Sequence, residues 1–176
     1  MRILTGCAIV AAFMIGGCAG TNVPSRQVVA AATILSAENS VTGNAVVAVQ
    51  DGEIELQLEG MDLPPGVHGV HLHTTGRCVP PDFSSAGGHL DPFGRKHGTL
   101  NPQGPHLGDL PNLTIADNGM GRYVVPLRGS YADVMEKMFD TDGTAIVIHA
   151  RADDYRTDPS GDSGGRIGCG VFARVG

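Results

Sequence analysis

Residues 53–59 read Glu53-Ile54-Glu55-Leu56-Gln57-Leu58-Glu59, with polar and apolar side chains in strict alternation. Side chains of a β-strand point alternately to the two faces of its sheet, so this pattern predicts a strand that buries its three apolar residues. One buried face and one solvated face are typical of antiparallel sheets. The segment therefore favours an all-β fold.

Seven further short segments are rich in β-branched residues and are bounded by Gly, Pro, Asn or Asp. They cover residues 28–35, 45–50, 67–74, 112–116, 122–127, 144–150 and 169–174. Eight short strands with almost no helix predict an eight-stranded antiparallel sandwich or barrel.

A single segment, residues 131–139, has helical periodicity. Its apolar side chains fall on one face of a helix and are Tyr131, Val134, Met135, Met138 and Phe139. Met135 and Met138 are possible soft ligands for copper, but at helical spacing they are expected to be core residues.

Two predicted connections, residues 75–111 and 151–168, are much longer than ordinary sandwich turns. Loops of this length are usually functional or disordered. The first one contains three histidines, one cysteine and Asp109. Metal binding can order such a loop, so we expect both loops to be functional.

Residues 1–18 are predicted to be an export signal, with Arg2 followed by an apolar run from Ile3 to Ile15 that is short for a transmembrane helix. Ile15-Gly16-Gly17-Cys18 resembles a bacterial lipoprotein box, which predicts lipidation at Cys18. Plain secretion and an uncleaved anchor are the alternatives. Residues 19–27 are then a tether, and residues 28–176 form one domain of ordinary size.

The composition limits the kinds of molecule that the protein could bind and the compartment in which it folds. A net charge of −6, the absence of basic runs and an aromatic content of 5% argue against binding to nucleic acid. Cys7 is removed with the signal, so Cys78 and Cys169 remain in the mature domain. An oxidising compartment favours a disulfide between them, and two reduced buried thiols are the alternative.

Six of the seven histidines lie between His68 and His106, and His149 is the seventh. His71 and His73 project from the same face of a strand, where they can bind one ion together. His68 points to the other face and is expected to bind backbone carbonyls rather than metal. Histidines combined with Asp109 suit zinc or copper, and these residues alone settle neither the number of ions nor the reaction.

Several segments closely resemble, in order, the signature segments of the copper-zinc superoxide dismutases. They are GVHGVHLH at 66–73, SAGGHLDP at 85–92, KHG at 96–98, HLGDL at 106–110, VIH at 147–149 and GRIGCGV at 165–171. Together with the lipoprotein-like signal, they resemble the bacterial, envelope-located branch of the family. The resemblance implies a Greek-key, immunoglobulin-like arrangement of the strands.

The resemblance also implies a role for each matching residue. It makes His71, His73, His89 and His149 the copper ligands, and His89, His97, His106 and Asp109 the zinc ligands, with His89 bridging one ion of each kind. It pairs Cys78 with Cys169 and makes Asp153 the carboxylate that bonds one ligand of each metal. Arg166 would attract and orient the anionic substrate, with an ordinary surface salt bridge as the alternative.

The implied activity is dismutation of superoxide to dioxygen and hydrogen peroxide by an antioxidant oxidoreductase. The implied location is the periplasmic side of a bacterial envelope, where the lipid would provide the only membrane contact. A monomer and a homodimer are both compatible with the sequence. The alternative functions are a non-catalytic copper/zinc-binding envelope protein, and a zinc hydrolase, which would need an open position on zinc.

Overall fold

The computed structural model describes residues 26–175, and all statements about the structure refer to this range. It contains ten β-strands and one α-helix. The strands are β1 (Gln27–Leu35), β2 (Val41–Gln50), β3 (Glu53–Gly60), β4 (Gly66–His68), β5 (Val70–His73), β6 (Leu113–Ile115), β7 (Gly121–Pro126), β8 (Ala145–His149), β9 (Arg166–Val171) and β10 (Ala173–Arg174), and the helix α1 (Tyr131–Met138) lies between β7 and β8.

All strand pairs are antiparallel. The main sheet has the order β5-β8-β9-β1-β2-β3-β7, with β10 also paired to β1, and β4 and β6 form a second, two-stranded sheet. Neighbours in the main sheet that are distant in sequence, such as β5 and β8, require long crossovers. The predicted all-β antiparallel fold is confirmed.

Two of the predicted strands are divided. The segment 67–74 breaks at Gly69, where the chain leaves the small sheet and enters the main one. A Cβ at Gly69 would lie 2.9 Å from the Cβ of Ser163, so this corner has room only for glycine. The segment 169–174 likewise breaks at Phe172 and begins earlier than predicted, at Arg166.

The core lies between the curled faces of the sheets. Ile54, Leu56 and Leu58 of β3 are buried, as their alternation predicts. In α1, Met135 and Met138 are buried in this core, which confirms that they are packing residues. Tyr131 was expected on the same face, but it is 42% exposed, because it occupies the first helical position immediately after the Ser130 cap.

Both long connections are largely irregular. The connection between β5 and β6 contains only the 3-10 turn Ser84–Ala86, and residues 150–165 connect β8 to β9. A disulfide between Cys78 and Cys169 fastens the first connection to β9, so the predicted pairing is confirmed. Within residues 26–175, no helix has the length and apolar character needed to cross a bilayer. The predicted export signal, Cys18 and nearly all of the predicted tether lie outside the described residues.

Candidate metal centre

Four histidines from three parts of the chain meet beside β5 and β8. His71 and His73 lie on β5, His149 ends β8, and His89 follows the 3-10 turn and forms an isolated bridge with His73. One ring nitrogen from each residue lies within 4.8 Å of those of the others, and all four residues are buried. The structure therefore brings His71 and His73 to one place, beside His89 and His149.

Each of these rings uses one nitrogen to fix its orientation. His71 Nε2 donates to Asp153 Oδ2 at 2.8 Å, His73 Nδ1 donates to the Gly87 carbonyl at 2.9 Å, and His149 Nδ1 donates to the Gly164 carbonyl at 3.1 Å. Such contacts fix which nitrogen is left to bind a metal.

The other nitrogen of each ring is buried and has no hydrogen-bond partner within the described chain. These atoms are His71 Nδ1, His73 Nε2, His89 Nε2 and His149 Nε2. Buried polar atoms are nearly always satisfied, so four converging unpartnered nitrogens indicate a cation site. A donor set made only of imidazoles fits copper. We refer to these four histidines as the copper group.

The second set of donors surrounds one oxygen of Asp109. Asp109 Oδ1 lies 3.0 Å from His89 Nδ1, 3.0 Å from His97 Nδ1 and 3.1 Å from His106 Nδ1. Tetrahedral bonds of about 2.0–2.1 Å to zinc place neighbouring ligand atoms about 3.3 Å apart. The spacing and the three-imidazole, one-carboxylate chemistry therefore fit zinc, and these residues form the zinc group.

His71 also comes within 4.8 Å of His89, His97 and Asp109. We nevertheless assign it to the copper group, because its Nε2 is bonded to Asp153 and its Nδ1 is one of the four unpartnered nitrogens. His106 contacts Asp109 Oδ1 directly and completes the zinc group. His89 belongs to both groups through its two ring nitrogens.

Asp153 connects the two groups. Its Oδ2 accepts from His71 of the copper group, and its Oδ1 accepts from His97 Nε2 of the zinc group at 2.9 Å. Gly161 lies so close that a Cβ there would be within 2.7 Å of His97 Nε2 and would overlap the Asp153 carboxylate. The bridge thus requires glycine at position 161.

Sequence reasoning missed Asn112. Its side-chain Oδ1 accepts from the Asp153 N–H at 2.8 Å, and its Nδ2 donates to the Asp153 carbonyl at 2.9 Å. Tyr155 supports the same carboxylate, because its N–H donates to Asp153 Oδ1 at 2.6 Å. The only sequence signal for Asn112 was its position three residues beyond Asp109.

His68 lies apart from both groups. Its Nδ1 contacts the His149 carbonyl at 2.8 Å, and its Nε2 contacts the Pro64 carbonyl at 2.9 Å. This agrees with the expected structural role. Because one partner is the carbonyl of a copper-group residue, His68 helps to fix the end of β8.

Arg166 lines a cavity of about 230 Å³ that opens onto the copper group. The cavity is lined by His73, Gly88, His89, His149, Pro159, Ser160, Gly164 and Arg166. Arg166 Nη1 donates to the Phe83 carbonyl and Nη2 to the Gly87 carbonyl, both at 2.6 Å. No salt bridge to Arg166 occurs in residues 26–175, so the surface-pair alternative finds no support there.

Burial keeps the copper group neutral. Desolvation lowers the pKa of His71 to about 3, that of His73 to about 2 and that of His149 to about 4. Because a protonated ring cannot bind metal, these directions favour coordination at neutral pH.

The zinc group is different, because it contains the carboxylate of Asp109 and its His97 also contacts that of Asp153. Burial of Asp109 opposes its ionisation, but hydrogen bonds from His106, His89 and His97 hold the pKa of its carboxyl well below the usual range. Burial also lowers the pKa of His97, yet the contacts with Asp109 and Asp153 outweigh it and raise the pKa to about 9. This pocket therefore concentrates negative charge, which attracts a cation.

Comparisons with known proteins agree with this geometry. Residues 36–172 match the family model described as copper/zinc superoxide dismutase. Cu-Zn superoxide dismutase 2 of Aquifex aeolicus is 41% identical over 151 residues, which are 84% of this chain and 88% of that protein. The superoxide dismutase-like protein YojM of Bacillus subtilis is 36% identical over 164 residues, which are 85% of this chain and 82% of that protein.

Solved structures give the same result. The crystal structure of a SOD-like protein from Bacillus subtilis has a TM-score of 0.74 at 36% identity and covers 80% of this chain and 96% of that one. Cu/Zn superoxide dismutase from Brucella abortus has a TM-score of 0.65 at 25% identity, with coverage of 84% and 99%. With its fold, its two donor groups and these relatives in agreement, the chain belongs to the copper/zinc superoxide dismutase family.

Proposed function

We propose that this protein converts two superoxide anions and two protons into dioxygen and hydrogen peroxide. His71, His73, His89 and His149 would hold copper, and His89, His97, His106 and Asp109 would hold zinc, with one ion of each per chain. The observation that carries the proposal is the convergence of four buried, unpartnered ring nitrogens on one point, with His89 shared by a second donor group.

Copper in the first group would supply the one-electron redox chemistry, and zinc in the second would polarise the shared imidazole. His89 lines the same cavity as Arg166, and its Nε2 is one of the four unpartnered nitrogens. This nitrogen would hold one proton when free and pass it to the reduced substrate, and solvent would supply the second proton needed to form hydrogen peroxide. Its Nδ1, held in the zinc group, keeps the ring in place during this transfer.

Arg166 binds and orients the superoxide anion. Its two hydrogen bonds to main-chain carbonyls hold the guanidinium at the wall of the cavity, beside His73, His89 and His149. The net charge of −6 does not prevent anion binding, because a cation in a narrow, low-dielectric cleft focuses the local field. Superoxide dismutases are themselves a standard example of this behaviour.

A second candidate is a non-catalytic copper/zinc-binding protein, since one relative is named only superoxide dismutase-like. A closed zinc group with four protein donors argues against a zinc hydrolase. Superoxide consumption by the metal-loaded protein, by the copper-stripped protein and by Arg166→Ala separates these functions. We expect a large loss without copper and a substantial, salt-sensitive loss with Arg166→Ala, whereas full activity without copper would refute the proposal.

We also propose export to the bacterial envelope, lipidation at Cys18 and protection of the periplasmic side from superoxide. The support is the sequence of residues 1–18. Incorporation of labelled palmitate into the full-length protein tests this, with Cys18→Ala as the control. Equal labelling of both proteins, or labelling of neither, would contradict the proposed anchor.

A further inference from the structure

Arg128 lies at a well-anchored point of the fold, between β7 and α1. β7 ends at Pro126, and the N–H of Leu127 donates to the Ile54 carbonyl of β3 at 2.9 Å. Two residues after Arg128, Ser130 caps α1, where its side chain accepts from the N–H of Asp133. The main chain on both sides of Arg128 is therefore fixed by the barrel and the helix.

The guanidinium of Arg128 reaches the main chain of the zinc group. Its Nη1 donates to the carbonyl of Asp109 at 2.8 Å. The main-chain N–H groups of Asp109 and Leu110 make longer bonds, at 3.4 Å to the His106 carbonyl and 3.3 Å to the Val70 carbonyl. Hydrogen bonds from a charged donor are also the stronger kind, so Arg128 provides the firmest main-chain contact of Asp109.

The other contacts of Asp109 orient the carboxylate within its own loop. The N–H groups of Gly98 and His106 donate to Oδ2 at 2.8 and 3.0 Å, which leaves Oδ1 to face the three Nδ1 atoms. These bonds lie within the loop. The Leu72 N–H ties the neighbouring Gly108 carbonyl to β5 at 2.9 Å, and the bond from Arg128 ties the Asp109 carbonyl to the end of β7. Asp109 and His106 are only three residues apart, so this bond adds a second anchor to the segment that supplies two of the four zinc donors.

Arg128 is exposed overall, and its side chain lies beside this segment at the protein surface. It lines a cavity of about 280 Å³ that includes His106, and a second of about 230 Å³ that includes Asp109. Without the side chain, water would compete for the Asp109 carbonyl and the segment would lose its charged hydrogen bond to the barrel. Neither the sequence pattern nor the family signature segments include Arg128.

We propose that Arg128 is a positioning residue for zinc, which keeps Asp109 and His106 at coordinating distance. The inference rests on the proposed zinc group. Loss of an outer partner that orients a metal ligand typically weakens metal binding by about 10–100-fold. Arg128 contacts no residue of the copper group among its hydrogen bonds in the described chain, so the effect should be confined to zinc.

The test compares Arg128→Met and Arg128→Lys with Arg122→Met, a matched control at an exposed position of β7. The copper- and zinc-loaded full-length proteins are mixed with excess 4-(2-pyridylazo)resorcinol, and zinc release is followed by absorbance. We expect zinc to leave Arg128→Met about 10-fold faster or more, Arg128→Lys to be intermediate, and Arg122→Met to match the wild type. Copper release to bathocuproine, with ascorbate added to reduce the copper to Cu(I), should be unchanged.

Urea midpoints measured with and without zinc separate a role in positioning the zinc ligands from a role in general stability. If the role of Arg128 were only structural, the urea midpoint of Arg128→Met would fall equally with and without zinc. The urea midpoint of Arg128→Lys would then be no higher than that of Arg128→Met. This result would overturn the inference. Zinc release from Arg128→Met at the wild-type rate would also overturn the inference. If Arg128→Met does not fold, release from Arg128→Lys at the wild-type rate would overturn it instead. A wild-type protein that binds no zinc would instead refute the zinc group of the proposed function.

Discussion

Asn112 pairs with both main-chain groups of Asp153, accepting its N–H at 2.8 Å and donating to its carbonyl at 2.9 Å. Asp153 in turn accepts from one histidine of each donor group. A single side-chain amide therefore fixes the residue that holds the two halves of the centre in register.

The variant Asn112→Ala should damage both stability and activity. It leaves two main-chain groups of a buried residue without partners, which should lower the free energy of unfolding by about 2 kcal/mol or more. Urea unfolding and superoxide turnover of the metal-loaded protein measure the two effects. Asn44→Ala, at an exposed position of β2, is the control. Changes no larger than those of the control would show that Asp153 holds its position unaided.

Arg166→Ala should slow turnover most at low ionic strength. Without the guanidinium the cavity loses the cation that attracts superoxide, so we expect turnover to fall about tenfold or more and to depend less on salt. Arg166→Lys keeps the charge and should retain part of the rate, and Arg122→Ala should behave as the wild type. If Arg166→Ala kept the wild-type salt dependence, the attraction would have to come from other residues.

The disulfide between Cys78 and Cys169 should contribute strongly to stability. It joins residues 91 positions apart, and removing such a crosslink typically costs about 2–5 kcal/mol. The double variant Cys78→Ser/Cys169→Ser should therefore unfold at lower urea concentration. Its activity should fall as well, because the segment it releases carries Phe83, whose carbonyl anchors Arg166. An unchanged urea midpoint and unchanged turnover would contradict both expectations.

The metal-free protein should be most stable near neutral pH. Burial holds the pKa of His71, His73 and His149 between about 2 and 4, below their unfolded value of 6.5. The unfolded chain therefore binds more protons as the pH falls below 6.5, and stability decreases by about 1.4 kcal/mol per pH unit for each extra proton.

His97 acts in the opposite direction. Its pKa is raised to about 9, so its contribution is fully present below pH 6.5 and is lost as the pH rises toward 9. Urea midpoints of the metal-free protein between pH 4.5 and 9 measure both limbs. A flat profile would mean that these rings are solvated when no metal is bound, contrary to the buried geometry.

Much of the centre could be predicted because its signals are local or belong to the family. The alternation of β5 places His71 and His73 together, and the signature segments point to the remaining donors. Asn112 and Arg128 could not be found in this way, since each bonds the main chain of a residue that is distant in sequence. Every residue has the same main-chain N–H and carbonyl groups, whatever its side chain. The residue types in the sequence therefore do not indicate which main-chain groups Asn112 and Arg128 will contact.

The positions at which close packing requires glycine could not be predicted from the sequence pattern either. The break at Gly69 depends on close approach to Ser163, and the need for glycine at position 161 depends on the Asp153 to His97 bond. Both are packing constraints between segments distant in sequence. The prediction that Tyr131 is buried was wrong for a different reason. Helical periodicity does not indicate which residues of the first turn contact the core.

The most direct test is a crystal structure of the copper- and zinc-loaded protein with anomalous data collected at both metal edges. We expect two adjacent ions, a copper bound by Nδ1 of His71 and Nε2 of His73, His89 and His149, and a zinc bound through Nδ1 of His89. A single ion, or two ions without His89 between them, would contradict it.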